Sequence, residues 1–191
     1  MATIRELSTA LGAGARANKY RVTFSYPTAV TGETSLDSID ALAKSATAPG
    51  KELGQIEVWS QGRKLLLPGD TTFDNAWSTS FYLTENHALR LDLIKWADAC
   101  DNFQKNKHSG NPSAIFADLR IEQLDSAGRA VATYTLHNCF PQSIGEISYG
   151  DDSSDTIAEF DVTFAYSDWV PGKEETGKYD SVAATNNDSA I

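Results

Sequence analysis

Cysteine is nearly missing from this chain. Cys100 and Cys139 are the two in 191 residues, which excludes a disulfide-built scaffold and fits reduced thiols in a cytosolic product. Long apolar runs are missing as well. None approaches the roughly 18 residues that a membrane-spanning helix needs. The opening MATIRELSTALGAGARANKY has no basic cluster followed by an apolar stretch, so no secretory leader is expected. Lys and Arg are scarce, 16 against 26 Asp and Glu, for a formal net charge of −10. Holding nucleic acid or docking on an anionic membrane needs clustered cations, so both roles are excluded. No Lys or Arg stands between Ala130 and Gly172, while Glu146, Asp151, Asp152, Asp155, Glu159, Asp161 and Asp168 do.

What is present is a globular composition, 41% hydrophobic and 22% charged, which excludes a disordered chain. Met1–Asn18 reads as a short helix around Ile4–Leu11 or as a mobile arm. Tyr20–Tyr26 alternates strictly, with Tyr20, Val22, Phe24 and Tyr26 on one face, and predicts a half-buried strand that Pro27 ends. Residues 27–34 read as a loop. Weak alternation over Leu36–Ala46 predicts another strand, and Thr47–Gly54 an exposed connection. Gln55–Trp59 and Arg63–Leu67 flank SQG and predict a hairpin. The unbroken Leu65, Leu66 and Leu67 predict cover on both faces of the second strand. Pro68–Asp70 is a turn signal.

Trp77, Thr79, Phe81 and Leu83 then alternate with Ser78, Ser80 and Tyr82. At Thr84, an expected N-cap, the period changes. Leu89, Leu93, Trp96, Cys100 and Phe103 recur at helical spacing on one stripe, predicting an amphipathic helix that ends near Gln104. Ile115–Leu124 and Ala130–Leu136 flank the turn DSAG, HNCFPQ reads as a loop, and Ile144–Tyr149 as a short strand. Ile157–Tyr166 alternates again: Phe160, Val162, Phe164 and Tyr166 face one way, Glu159, Asp161 and Thr163 the other. The class is α+β, mainly β: an antiparallel β-barrel or sandwich with one flanking amphipathic helix. The expected core comprises Phe24, Trp77, Phe81, Leu89, Leu93, Trp96, Phe160, Val162 and Phe164.

Candidate chemistry is thin. Glu85, His87 and Asp92 lie close in sequence but lack a nucleophile motif. Residues 87 and 92 do not share a helix face, and all three lie off the apolar stripe, so a solvated helix start is expected. Cys100, His108, His137 and Cys139 lack the paired spacing of structural zinc sites. GDDSSD lacks the calcium-loop pattern, and no phosphate-cradling glycine motif occurs. No catalytic residue, cofactor or metal is expected. Two features resist a bland reading. Leu91 and Ile94 place apolar bulk on the helix face that should be wet. Glu159, Asp161 and Thr163 form a strand face that could line a channel repelling a passing polyanion.

GRKLLLPGDTTFDNAWSTSFYLTENHALRLDLIKWAD resembles the central block of the tail tube proteins of contractile-tailed phages. Gly69, Asp70, Thr72, Phe73, Asp74, Trp77 and Trp96 stand at matching places. FPQSIGEISYGDDSSDTIAEFDVTFAYSDW, Phe140 to Trp169, is similar to that family's C-terminal end, and AKSATAPGKELGQIEVW to its long loop and following strand. The extension after Trp169 and the loop from Pro27 to Ser35 depart from the pattern.

The resemblance implies a tube domain over residues 1–171, with 1–18 an N-terminal arm and 172–191 a polar extension. It implies hexameric rings stacked into a tube whose lumen passes DNA without binding it. Glu159, Asp161 and Thr163 would line that lumen. Lys51, Glu52, Leu53 and Ile56, in the loop Thr47–Ile56, would touch the adjacent ring. Leu91 and Ile94 would meet the sheath or a neighbouring subunit. Implied partners are further copies of the chain, the tail sheath, tape measure, baseplate and tail terminator proteins, with no membrane anchoring. The implied location is the virion tail, assembled in host cytoplasm. Rival readings are the tube of a contractile injection system, including the hemolysin-coregulated class of type VI secretion, and a monomeric β-sandwich binding module.

Overall fold

The structure, a computed structural model, describes residues 3–12, 14–102, 107–108, 111–150 and 155–172. In chain order the elements are α1 (Ile4–Leu11), β1 (Tyr20–Phe24), α2 (Leu36–Leu42), β2 (Ala43–Ala46), β3 (Glu52–Ser60), β4 (Arg63–Thr72), β5 (Ala76–Tyr82), α3 (Ala88–Cys100), β6 (Asp101–Asn102), β7 (Lys107–His108), β8 (Ala117–Leu124), β9 (Ala130–Ile144), β10 (Glu159–Ala165) and β11 (Asp168–Gly172). The class is the expected one, mainly β with antiparallel pairing. The ladder runs β1-β8-β9-β10-β5-β2, with β11 also on β9.

This sheet is folded over on itself. The Phe24 ring on β1 lies 5.7 Å from that of Phe164 on β10, although three strand spacings of a flat sheet would separate them by about 14 Å. The fold is made by β9. Leu136 faces Leu119 and Cys139 faces Ala117, so one extra residue bulges near Asn138, whose φ is +56°. A second register shift lies opposite Thr163 and Phe164. Such bulges bend a strand, letting β9 serve β8 and β11 with one half and β10 with the other. The outermost strands nearly meet: the Tyr20 hydroxyl on β1 donates to the Ala43 carbonyl on β2 at 3.0 Å. No backbone ladder joins them among the described residues, so the barrel is open.

The alternating strands bury the predicted sides. Val22, Phe24, Trp77, Phe81, Phe160, Val162 and Phe164 join Leu89, Leu93 and Trp96 of α3 in one cluster. Trp96 packs 5.9 Å from Phe24 and 6.0 Å from Phe164, and its Nε1 donates to the Ile115 carbonyl at 2.7 Å. Aromatic pairs of this kind add about 0.5–1.5 kcal/mol each beyond their burial.

Local readings are corrected at several points. Leu36–Leu42 is a helix, N-capped by Ser35, and only Ala43–Ala46 is strand. Pro68–Asp70 is no turn but runs on inside β4. The flanking helix begins at Ala88, not after Thr84. Its cap, His87, is left-handed, and Asn86 Oδ1 accepts from the Ala88 N–H. It ends at Cys100, because Asp101 turns extended. His137–Gln142 belongs to the bulged β9, and Gly145–Gly150 is irregular beyond it. Leu65, Leu66 and Leu67 are covered on neither face, being 57%, 50% and 42% exposed. Phe103, Gln104, Asp151, Asp152 and residues 173–191 lie outside the described residues.

Candidate assembly surfaces

The polar side of β10 is built by its register on β5. Glu159 faces Tyr82, Asp161 faces Ser80 and Thr163 faces Ser78, while Phe160, Val162 and Phe164 point into the core. The Ser80 hydroxyl donates to Asp161 Oδ1, and the Ser78 and Thr163 hydroxyls lie 3.0 Å apart. Glu159 is paired with Lys44 of β2, a cation that the sequence placed on no particular face. The result is a hydroxyl-lined face with one carboxylate neutralised by a lysine and a second held by a hydroxyl. Gly145 lies close behind it: its N–H donates to the Asp161 carbonyl at 2.6 Å, and Arg90 Nη1 donates to the Gly145 carbonyl at 2.6 Å.

The β3–β4 hairpin is an arm. Among the described residues its strands pair only with each other. Gln61 and Gly62 at its tip have φ of +49° and +75°, as a two-residue hairpin turn of the mirror-image type requires. Ile56 faces Leu67 and Val58 faces Leu65, which puts four aliphatic side chains on one side. Glu57, Leu66, Trp59 and Lys64 occupy the other, with Lys64 and Glu57 paired. All six apolar residues of this group are exposed, as is Leu53. The root is strapped down: Trp169 Nε1 donates to the Gly50 carbonyl at 3.0 Å, Trp77 Nε1 to the Thr47 carbonyl at 2.6 Å, and the Phe73 ring meets Trp169. Of the inter-ring candidates, Lys51 precedes the arm, whereas Glu52, Leu53 and Ile56 lie within β3 rather than in a loop.

On α3 the two odd apolar residues differ. Leu91 is 49% exposed, and Ile94 is half-buried. The structure separates the Glu85, His87 and Asp92 group. Glu85 is exposed and His87 caps the helix, but Asp92 is buried and turned to the 26–34 segment, against the expected solvated position. Asp92 Oδ2 accepts from the Glu33 N–H at 2.8 Å and from the Thr34 N–H and hydroxyl at 2.9 Å each. Nothing local in the sequence shows this, because the donors arrive from a loop far away in the chain. Cys139 is buried, its thiol donating to the Leu136 carbonyl, and burial pushes its pKa up to about 12, far from a reactive thiolate. Cys100 is half-buried on α3, and His137 Nδ1 lies 3.4 Å from Asp118. No three His, Cys, Asp or Glu converge as metal ligands among the described residues.

Helix α1 shows a further surface that sequence reading missed. Ile4, Leu7 and Leu11 share a face and are exposed, and Thr3 and Glu6 form a reciprocal capping box. The T-x-x-E spacing before an apolar repeat was the available signal.

Comparison with known proteins matches residues 15–171 to the family described as phage tail tube protein. The tail tube protein of Serratia phage KSP90 is 28% identical over 169 residues, 87% of this chain and 95% of that relative. Tail tube protein gp19 of Enterobacteria phage T4 is 24% identical over 127 residues, 66% and 77% of the two chains. Among solved structures, a chain of the anti-feeding prophage baseplate has a TM-score of 0.61 at 14% identity, with 83% of this chain and 95% of that one covered. A chain of the sheath-tube complex of an extracellular contractile injection system has a TM-score of 0.57 at 16% identity, covering 91% and 100%. These two show the shared fold. The family match spans the sheet up to Pro171, its arm and its flanking helix, and the chain belongs to the phage tail tube protein family, the structural, non-enzymatic components of the virion tail.

Proposed function

We propose that copies of this chain close into six-membered rings, that the rings stack into a tube, and that the lumen conducts DNA during ejection. The observation that carries this reading is the β3–β4 arm. It exposes aliphatic side chains on both faces outside the main sheet, and an isolated two-stranded hairpin of that kind is marginal in water. A neighbouring copy supplies the missing cover, with Lys51, Glu52, Leu53 and Ile56 at the contact with the adjacent ring. The edge of β2, an end strand of the ladder, supports ring closure, since an unpaired edge is a liability until another chain meets it. A heterologous contact whose rotation closes makes a ring.

In this reading Glu159, Asp161 and Thr163 face the lumen. Hydroxyls and carboxylates, with Lys44 already paired, give a phosphate backbone nothing to grip. Leu91 and Ile94 meet the sheath, the tape measure protein occupies the lumen before DNA, and terminator and baseplate proteins close the ends. Residues 1–171 act as one domain, with 1–18 an arm and 172–191 an extension. A contractile injection system tube is the second reading, favoured by the fold likeness; the curated sequence relatives are phage proteins and favour the phage tail. Electron microscopy of concentrated purified protein, with and without an isolated baseplate as initiator, tests the proposal. Rings or tubes with a six-fold central hole are expected. Folded monomers under both conditions would overturn it.

A further inference from the structure

Asp92 is 1% exposed and lies at the edge of the apolar stripe of α3, buried with Leu89, Leu93 and Trp96. Its Oδ2 gathers the Glu33 and Thr34 N–H groups and the Thr34 hydroxyl, with the Tyr26 hydroxyl at 3.4 Å, while Oδ1 takes Lys95 Nζ at 3.2 Å. Lys95 also reaches Glu33 at 3.4 Å. One carboxylate thus ties the segment after β1 onto α3. The tie demands a close fit: a Cβ on Gly32 would stand 2.2 Å from the Tyr26 ring. From the tied segment the chain enters α2, which buries Ile39 and turns Asp40 toward β1. Asp40 Oδ1 accepts the Val22 N–H at 3.2 Å, and its Oδ2 lies 3.5 Å from Arg21 Nε. Strand β1 is an end strand of the ladder, and its other side pairs with β8. The Val22 N–H therefore points outward, and a side chain occupies the place that a further strand's carbonyl would take.

We propose that residues 27–42 form a clasp, latched by Asp92, that caps the open edge of β1 and keeps the free chain from adding strand to strand onto a second copy. This goes beyond the tube reading. It concerns the unassembled chain, and it stands or falls whatever the ring symmetry. An uncapped edge is a template for pairing with another chain, and a carboxylate in the place of a strand carbonyl removes it without a covalent change. A latch made of several donors on one acceptor opens as a unit when the acceptor is lost, because every donor then loses its partner at once.

Hydrogen exchange by mass spectrometry, with light scattering on the same samples, tests this on the full chain and on Asp92→Asn and Asp40→Ala. Asp92→Asn is expected to speed exchange about tenfold or more across 27–42 and in β1, with β5 and β10 still protected, as a local opening does. Its mass should rise with concentration above that of the unaltered chain. Asp40→Ala should free β1 and raise the mass while 27–35 stays protected. Unchanged protection of 27–42 in Asp92→Asn overturns the latch. So does a loss of protection that reaches β5 and β10, or a chain that does not fold, since Asp92 is then part of the common core. Exposed β1 amides with an unchanged mass in both variants overturn the capping of the edge.

Discussion

Gly69 passes over Gly54 so closely that a Cβ on Gly69 would lie 2.9 Å from the Gly54 carbonyl carbon and 3.0 Å from its oxygen. The crossing lies at the register shift between Leu53 and Gln55, where the arm leaves its root. Both obstacles are backbone, so neither swings aside. Gly69→Ala therefore forces the strands apart at an estimated cost of about 1–3 kcal/mol, enough to lower the paired arm roughly tenfold. The sheet core does not use the arm, so the thermal melt should keep its midpoint while pelleting of assembled protein drops. A fall in the melt equal to the loss of assembly would show that the arm is part of the fold rather than a contact device.

Leu91 is an exposed leucine on α3, beside the buried Leu89, Leu93 and Trp96. Leu91→Asp should alter chain stability by no more than about 0.5 kcal/mol, as surface changes do. It should weaken co-sedimentation with the sheath protein or block assembly outright. Unchanged sheath binding and assembly would leave the side chain without a contact role.

On the face of β10, lysine at both Glu159 and Asp161 turns a phosphate-indifferent surface into a cationic one beside Lys44, which loses its partner. DNA ejection from particles carrying the double variant should slow. The slowing should fade as salt rises, because phosphate contacts trade against counterions. Ejection at the original rate in low salt would place this face away from the lumen.

The parts of the fold that were legible are those where one face is wet and the other buried within a single element. The Tyr20–Tyr26, Trp77–Phe81 and Phe160–Tyr166 alternations needed only the two-residue pleat, and Leu89, Leu93 and Trp96 only the helical turn. Leu36–Leu42 had a legible signal that was missed, Ser35 as a cap with Leu36 and Ile39 three apart. Three other points depend on distant chain. His137–Gln142 carries Asn and Pro because β9 bulges there to change partners. Asp92 is buried because a loop 58 residues away folds onto it. Leu65–Leu67 reads as a core strand although the chain leaves it exposed, because an unbroken apolar run carries no mark of whether a second layer covers it.

Residues 173–191 contribute no large apolar cluster to the sequence, and β11 completes its pairing with β9 at Gly172, opposite Thr133. Truncation after Gly172 should leave the melting midpoint within about 2 °C, the shift that ~0.5–1 kcal/mol gives a chain of this size. Insoluble expression of the truncated chain would refute this.

Acid should open the Asp92 latch. Burial alone raises the pKa of this carboxyl, but the Thr34 N–H and hydroxyl, the Glu33 N–H and the Lys95 ammonium outweigh it and hold it below the ordinary carboxylate range. A group with a depressed folded value stabilises the fold above its unfolded value, near pH ~3.9, and loses that contribution as pH falls through the folded value. The clasp should therefore be shut and insensitive to pH from neutrality down to about 4, and should loosen below. Asp125 is also held below its ordinary value, by the Arg129 N–H and guanidinium, so a global acid melt does not separate the two. Amide protection at Glu33 and Thr34 does, followed by NMR from pH 7 downward. The unaltered chain should lose it in acid, whereas Asp92→Asn should lack it throughout. Parallel profiles for the two chains would assign the acid response to Asp125 or another carboxylate, and not to this latch.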